Sequence, residues 1–91
     1  MDENMMDERE KQLFEKMKKL IAEKLEVEEE KVKMDASFRQ ELGADSLDTY
    51  ELVYEIEETM KINIPDEKAN EFETVKDAFN YINEQLKNQQ K

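Results

Sequence analysis

The first part of the chain places apolar residues at helical spacing. Lysine and glutamate residues separate six apolar positions that share one helical face: Leu13, Phe14, Met17, Leu20, Ile21 and Leu25. Because apolar residues three and four positions apart lie on one side of an α-helix, this pattern predicts an amphipathic helix over about residues 9–25. Residues 1–8 are polar, and we expect them to form a flexible extension.

Residues 26–45 keep no sustained period, so they predict a long connection instead of a further long helix. Connections of this length are uncommon in compact domains and often have a function. Scattered apolar residues such as Val32 and Phe38 indicate that the connection packs onto the helices. Ser37 and Gln40 have capping-box spacing, which predicts a short helical turn at this point.

A second helix is predicted from Ser46 to about Met60. Asp45 is a good N-cap residue, and Gly43 allows a tight entry just before it. On a helical wheel, the core-facing stripe contains Thr49, Leu52, Val53, Ile56 and Met60. The outer half carries a second set of apolar residues among acidic ones, with Glu57 at its edge: Leu47, Asp48, Tyr50, Glu51, Tyr54, Glu55 and Glu58.

The outer half of this helix is typical of a docking surface, which has an apolar centre and a charged rim. Like charges one helical turn apart, such as Asp48 with Glu51, cost roughly 0.2–0.5 kcal/mol per pair. A helix that only had to fold would not need them. The alternative is that Tyr50 and Tyr54 cover the long connection while the acids form an ordinary solvated face, and the wheel alone does not separate the two.

Two shorter patterns predict the rest of the chain. Pro65 breaks the chain after the second helix, and Asp66 is expected to cap a short third helix that ends near Asn70. Thr74 and Asp77 form a second capping-box signal before a last helix, whose core stripe is Val75, Ala78, Phe79, Ile82 and Leu86. We therefore expect one all-α domain over residues 9–86, with three longer helices and one short, followed by a flexible tail over residues 87–91.

Composition narrows the function classes. The net charge of −11 disfavours nucleic acid and anionic membranes as ligands and favours basic protein partners. The chain has no cysteine and no histidine, which excludes thiolate catalysis and a Ser-His-Asp mechanism, and it has no calcium-loop spacing. Without a signal peptide or a membrane-length apolar run, we expect a cytoplasmic monomer that is not an enzyme and has no metal site.

The segment Leu42-Gly43-Ala44-Asp45-Ser46-Leu47 resembles the attachment motif of acyl carrier proteins. Similarity to that family continues through Asp48-Thr49, Glu51-Leu52-Val53, Ile56-Glu57-Glu58, Ile64-Pro65-Asp66-Glu67 and Tyr81-Ile82-Asn83. It covers the chain from about Leu13 to Leu86 in the same four-helix order. The short motif alone is only moderately specific, because Asp-Ser-Leu also makes a good helix start. In combination with the acidic helix and the length of the chain, it is strong.

The resemblance implies a four-helix bundle of acyl-carrier type with a long loop between its first two helices. It implies that a separate transferase attaches 4'-phosphopantetheine from coenzyme A to Ser46, beside Asp45, and that the thiol of this arm carries acyl groups as thioesters. Ketoacyl synthases, reductases, dehydratases and acyltransferases of fatty acid synthesis are the implied partners, docking on the outer half of the second helix. The implied acyl pocket is lined by Phe38, Leu52, Val53, Ile56, Ile64, Ala69 and Phe72.

Two other interpretations remain open from the residues. Carriers of other pathways, such as peptidyl, D-alanyl or polyketide carriers, share the arm and the fold. An acidic helical adaptor without a prosthetic group would share the docking surface but leave Ser46 unmodified. The chain also departs from the family pattern, because Tyr50 and Tyr54 occupy outer positions that are often aliphatic or methionine and Glu55 often has an apolar counterpart.

Overall fold

The computed structural model describes residues 7–89, with side chains through Asn88. It contains helices α1 (Glu8–Leu25), α2 (Ser46–Met60), α3 (Asp66–Asn70) and α4 (Val75–Gln89), and a short 3-10 helix at Glu29–Lys31 lies in the long connection. No β-strand occurs in this range. The predicted all-α fold, with three longer helices and one short one, is therefore confirmed.

The ends of the domain differ slightly from the prediction. Asp7 caps α1 by accepting the Glu10 N–H at 2.8 Å, and the Glu10 carboxylate accepts the Asp7 N–H at 3.1 Å. The expected flexible extension is thus corrected at positions 7 and 8, while residues 1–6 lie outside the described part. At the other end, α4 continues through Gln89, so the tail predicted from Lys87 is helical over residues 87–89. Half-buried Leu86 supports this last turn.

The predicted apolar stripes meet in one core. Phe14 of α1 packs edge-to-face on Phe79 of α4, with ring centroids 6.0 Å apart. Met17, Ile21 and Ile82 are completely buried around them. On α2 the stripe of Leu52, Val53, Ile56 and Met60 is also buried. Complete burial of each such side chain stabilises the fold by roughly 1.5–3 kcal/mol.

The long connection packs onto the helices, as its apolar residues predict. Val32 and Phe38 are 2% and 3% exposed. The Phe38 N–H donates to the Glu73 carbonyl at 3.0 Å, and the Val75 N–H donates to the Ala36 carbonyl at 3.0 Å. These backbone bonds attach the middle of the connection to the start of α4. The segment that precedes α2 is therefore held in place by the residues at the start of α4.

The expected turn at Ser37 is present, with one difference in its hydrogen bonds. Ser37 Oγ accepts the Gln40 N–H at 3.2 Å, as the capping-box spacing predicts. The reciprocal bond comes from Glu41, whose carboxylate accepts the Ser37 N–H at 3.1 Å. Glu41 replaces Gln40 in this role, and a carboxylate makes the stronger, charge-assisted bond.

The starts of α3 and α4 test two further capping predictions. Asp66 does not cap α3: Pro65 takes the N-cap position with extended backbone angles, and Asp66 is the first helical residue. That prediction was wrong because proline before a helix already has the backbone conformation of a cap residue. The Thr74 and Asp77 box is confirmed, since the Asp77 carboxylate accepts the Thr74 N–H at 3.2 Å and Thr74 Oγ1 accepts the Asp77 N–H at 3.4 Å.

Candidate functional site

The start of α2 is built by a pair of aspartates. Asp45 Oδ1 accepts the Asp48 N–H at 2.9 Å, and Asp48 Oδ2 accepts the Asp45 N–H at 3.3 Å. Gly43, at a φ of 71°, makes the turn into this capping box, a conformation that other residues adopt only with strain. The Ala44 N–H then donates to the Phe38 carbonyl at 2.8 Å and anchors the entry. The predicted N-cap at Asp45 is confirmed.

Ser46 is the first residue of α2, and its side chain is exposed. Because Asp45 and Asp48 perform the capping, the Ser46 hydroxyl is not required to hold the helix start. Within the described part of the chain, the backbone N–H groups of Ser46 and Leu47 donate to no acceptor. A hydroxyl next to free N–H groups at the positive end of a helix is a favourable place for a phosphate.

One basic side chain reaches this hydroxyl. Arg39 Nη2 donates to Ser46 Oγ at 3.3 Å, from the connection that precedes α2. Arg39 was not among the residues predicted for the site. The sequence does contain a signal for it, because residues 40–60 contain no lysine or arginine, which leaves Arg39 as the basic residue nearest to Ser46 in the chain.

A cavity of about 660 Å³ opens beside Ser46, between the connection, the start of α2 and the segment after α3. Three of the predicted pocket residues line it: Phe38, Ala69 and Phe72. The other four, Leu52, Val53, Ile56 and Ile64, are buried in the core and do not line this cavity. The structure thus brings three of the seven residues together with Ser46, and the entry of an acyl chain stays a prediction.

The outer half of α2 carries exposed apolar residues, as the helical wheel predicts. Within residues 7–88, the large hydrophobic side chains that are exposed are Leu47 at 66%, Tyr54 at 62% and Tyr50 at 44%. Tyr50 also has a partner, because its hydroxyl donates to Asn70 Oδ1 at 2.9 Å and links α2 to α3. Leu47 and Tyr54 therefore make up the most exposed apolar surface of this helix.

The acidic residues of the same helix divide into two groups. Three of them have partners within the fold: Asp48 is in the capping box, Glu57 Oε2 accepts the Ile64 N–H at 2.8 Å, and Glu55 Oε2 lies 3.8 Å from Lys24 Nζ. Glu51 and Glu58 are exposed. The eight residues predicted to dock partners thus include four with partners inside the fold: Asp48, Tyr50, Glu55 and Glu57.

Removing the cap at Asp45 is expected to lower stability. Asp45→Ala leaves the Asp48 N–H without its acceptor, which costs about 1 kcal/mol, or roughly 4–8 °C in melting temperature for a domain of this size. Thermal unfolding followed by circular dichroism measures the shift. Asp66→Ala is the matched control, because Asp66 makes no capping bond. Equal shifts in the two variants would contradict the assigned role of Asp45.

The small four-helix fold presents an exposed serine at a helix start, beside a cavity with room for a covalently attached group. A family model described as a phosphopantetheine attachment site matches residues 15–82. The chain is also similar to proteins named acyl carrier protein from Treponema denticola and Treponema pallidum. The first is 68% identical over 75 residues, which are 82% of this chain and 96% of the relative. The second is 69% identical over 71 residues, or 78% and 91% of the two chains.

A more distant relative, named acyl carrier protein from Clostridium perfringens, is 47% identical over 72 residues, or 79% of this chain and 95% of that protein. The chain belongs to the acyl carrier protein family. The resemblance identified from the motif around Ser46 is thereby confirmed, and so is phosphopantetheine as the prosthetic group. The protein is a carrier and not an enzyme.

Two further features concern membranes and metals. None of the helices within residues 7–89 has an apolar stretch long enough to cross a membrane. The same part of the chain contains no cluster of three or more acidic, histidine or cysteine side chains that could hold a metal ion.

Proposed function

We propose that Ser46 carries the 4'-phosphopantetheine arm and that the protein presents acyl intermediates on it to the enzymes of fatty acid synthesis. The observation that carries this proposal is the exposed Ser46 hydroxyl at the first position of α2, inside the matched region of the family model. Ser37, the other serine of the chain, is half-buried and its hydroxyl accepts a backbone N–H. It is a poor candidate for modification.

The residues around Ser46 suit a phosphodiester. Asp45 holds the helix start through the Asp48 N–H, so the free N–H groups of Ser46 and Leu47 remain available to an anion. When bound, the arm supplies a terminal thiol for thioester formation, which this cysteine-free chain does not have.

Loading requires a second protein. Ser46 Oγ has Arg39 as its hydrogen-bond partner, and a guanidinium donates hydrogen bonds but accepts no proton. Ser46 therefore has no base of its own, and a transferase must remove the hydroxyl proton. Ser46 Oγ then bonds to the pantetheine-side phosphorus of coenzyme A, and the adenosine-containing half leaves with the electrons of the broken pyrophosphate bond.

The cavity beside Ser46 is the proposed entrance for the acyl chain. Phe38, Ala69 and Phe72 provide apolar walls near the attachment point. Four other predicted pocket residues lie deeper in the core: Leu52, Val53, Ile56 and Ile64. The acyl chain would contact them only if the helices separate. Each methylene that leaves water contributes about 0.8 kcal/mol, which favours sequestration of long acyl chains.

The exposed part of α2 is the proposed docking surface. Leu47 and Tyr54 supply its apolar centre, and Glu51 and Glu58 supply exposed negative charge. The other predicted members, Asp48, Tyr50, Glu55 and Glu57, add charge and rigidity while keeping their internal partners. Residues 40–91 contain 13 acidic and 5 basic residues, a net charge of −8, which favours basic surfaces on the partner enzymes.

The partners proposed for this surface are a carrier-protein transferase and the synthases, reductases, dehydratases and acyltransferases of fatty acid synthesis. We further propose that the protein works as a monomer in the cytoplasm. A carrier of another pathway would share the arm and the fold and would differ in its cargo. The unmodified adaptor is not favoured, because the chain belongs to a family defined by phosphopantetheine attachment.

Mass spectrometry tests the proposal directly. Protein isolated from its native source is expected to carry one phosphopantetheine, with fatty acyl thioesters on part of the population. Trypsin separates the two serines, because cleavage after Lys33, Arg39 and Lys61 places Ser37 in peptide 34–39 and Ser46 in peptide 40–61. The added mass should occur in peptide 40–61. Its presence in peptide 34–39 would overturn the assignment, and an aminoacyl or polyketide cargo would indicate another pathway.

A further inference from the structure

Arg39 is held beside Ser46 by the backbone on both sides of it. Phe38, which precedes it, is buried and donates its N–H to the Glu73 carbonyl at 3.0 Å. Gln40, which follows it, donates its N–H to Ser37 Oγ at 3.2 Å. Both Arg39 and Ser46 line the cavity beside α2. The contact between Arg39 Nη2 and Ser46 Oγ thus joins two anchored segments.

The charges around this contact indicate what the Arg39 guanidinium can bind. Asp45 and Asp48 place two carboxylates at the start of α2, and residues 40–60 contain no lysine or arginine. A phosphodiester on Ser46 adds a third negative charge at this point. Arg39 is the cation already in contact with the oxygen that becomes part of the ester. Its planar guanidinium presents several N–H donors that match the geometry of phosphate oxygens.

We propose that Arg39 is a positioning residue for the prosthetic group: its guanidinium is the counter-ion of the phosphodiester on Ser46 and holds the base of the arm at the mouth of the cavity. This inference rests on the proposed attachment at Ser46. It assigns to Arg39 a role in the loaded protein and none in the chemistry of loading. The side chain is exposed, so its replacement should leave the fold intact.

The test compares loaded and unloaded forms of four proteins: the parent, Arg39→Gln, Arg39→Lys and Lys33→Gln. Lys33→Gln is the matched control, because it removes one positive charge from the same connection and Lys33 does not line the cavity. The first readout is the change in melting temperature on loading. The second is the phosphorus NMR signal of the diester, together with the shift of the Arg39 guanidinium signals on loading.

Loading is expected to move the guanidinium signals of the parent protein. The change in melting temperature on loading should be about 2–4 °C less favourable in Arg39→Gln than in the parent. Its phosphorus signal should also shift and lose sensitivity to salt. Arg39→Lys should fall between the two, because lysine keeps the charge without the planar fork, and Lys33→Gln should match the parent.

Two different failures are distinguishable. If the parent is not loaded at Ser46, the proposed function itself fails, whatever the variants do. In the second failure, all four proteins are loaded at Ser46, with the same change in melting temperature and the same phosphorus signal in Arg39→Gln as in the parent. That result would overturn the role of Arg39 and leave the attachment site in place.

Discussion

Replacing Ser46 with alanine is expected to abolish attachment of the phosphopantetheine arm completely and to leave the fold intact. The hydroxyl oxygen forms the ester bond, and the half-buried Ser37 offers no substitute. The helix start does not depend on Ser46, because Asp45 and Asp48 exchange the capping hydrogen bonds. An exposed substitution of this kind changes the free energy of unfolding by about 0.5 kcal/mol or less.

The measurement is intact mass after incubation with coenzyme A, Mg²⁺ and a bacterial carrier-protein transferase. The parent should gain one phosphopantetheine and Ser46→Ala should gain none. Ser37→Ala is the matched control and should load like the parent. Melting curves of the unloaded proteins separate lost chemistry from lost folding. Residual loading of Ser46→Ala would show that the attachment site lies elsewhere.

The second large effect is expected on the exposed face of α2, where charge and apolar contact should act on different rate constants. Exposed rim charges act mainly on association and are screened by salt, whereas a buried anchor acts mainly on dissociation. Glu51→Lys should therefore slow association with a basic partner by on the order of tenfold at low salt and flatten its salt dependence. Both effects follow from reversing one exposed charge at the rim of the surface.

Tyr54→Ala should instead speed dissociation and leave the salt dependence nearly unchanged. Truncation of an aromatic anchor at an interface costs roughly 2 kcal/mol, which corresponds to about 30-fold in the dissociation rate. Tyr54 is 62% exposed in the free protein, so the variant should remain folded. Tyr54→Phe keeps the ring and should bind nearly as well as the parent.

Stopped-flow or surface-binding kinetics across a salt series measure both effects, with a transferase or a ketoacyl synthase as the partner. Glu30→Lys is the control for net charge. The substitution changes the net charge by the same amount as Glu51→Lys, but Glu30 lies in the 3-10 helix of the connection and outside the proposed surface. If Glu51→Lys behaves like Glu30→Lys and Tyr54→Ala binds like the parent, then the outer face of α2 is solvated surface. Docking would then lie elsewhere on the molecule.

Features that depend on short-range spacing could be predicted from the residues alone. Asp45, with Asp48 three residues later, and Thr74 with Asp77 produce helix starts through hydrogen bonds between close neighbours. The stripe of Leu52, Val53 and Ile56 is buried because helical geometry places these residues on one side. For the same reason Leu47 and Tyr54 are exposed. The carrier motif with its serine is contiguous in the chain, so the residues alone are enough to recognise it.

Contacts between residues on different elements could not be predicted from the residues and follow from how the helices and the connection pack. Glu57 accepts the Ile64 N–H, and Glu10 accepts the Asn83 side-chain amide at 2.9 Å, although each carboxylate looks like ordinary helical surface in the sequence. Arg39 contacts Ser46 from a connection whose middle is hydrogen-bonded to the segment at the start of α4. Such contacts depend on how separate elements pack, because hydrophobic burial is non-directional and does not by itself select partners. Helical periodicity predicts the side of a helix on which a residue lies, whereas the packing of the helices determines which residues it contacts.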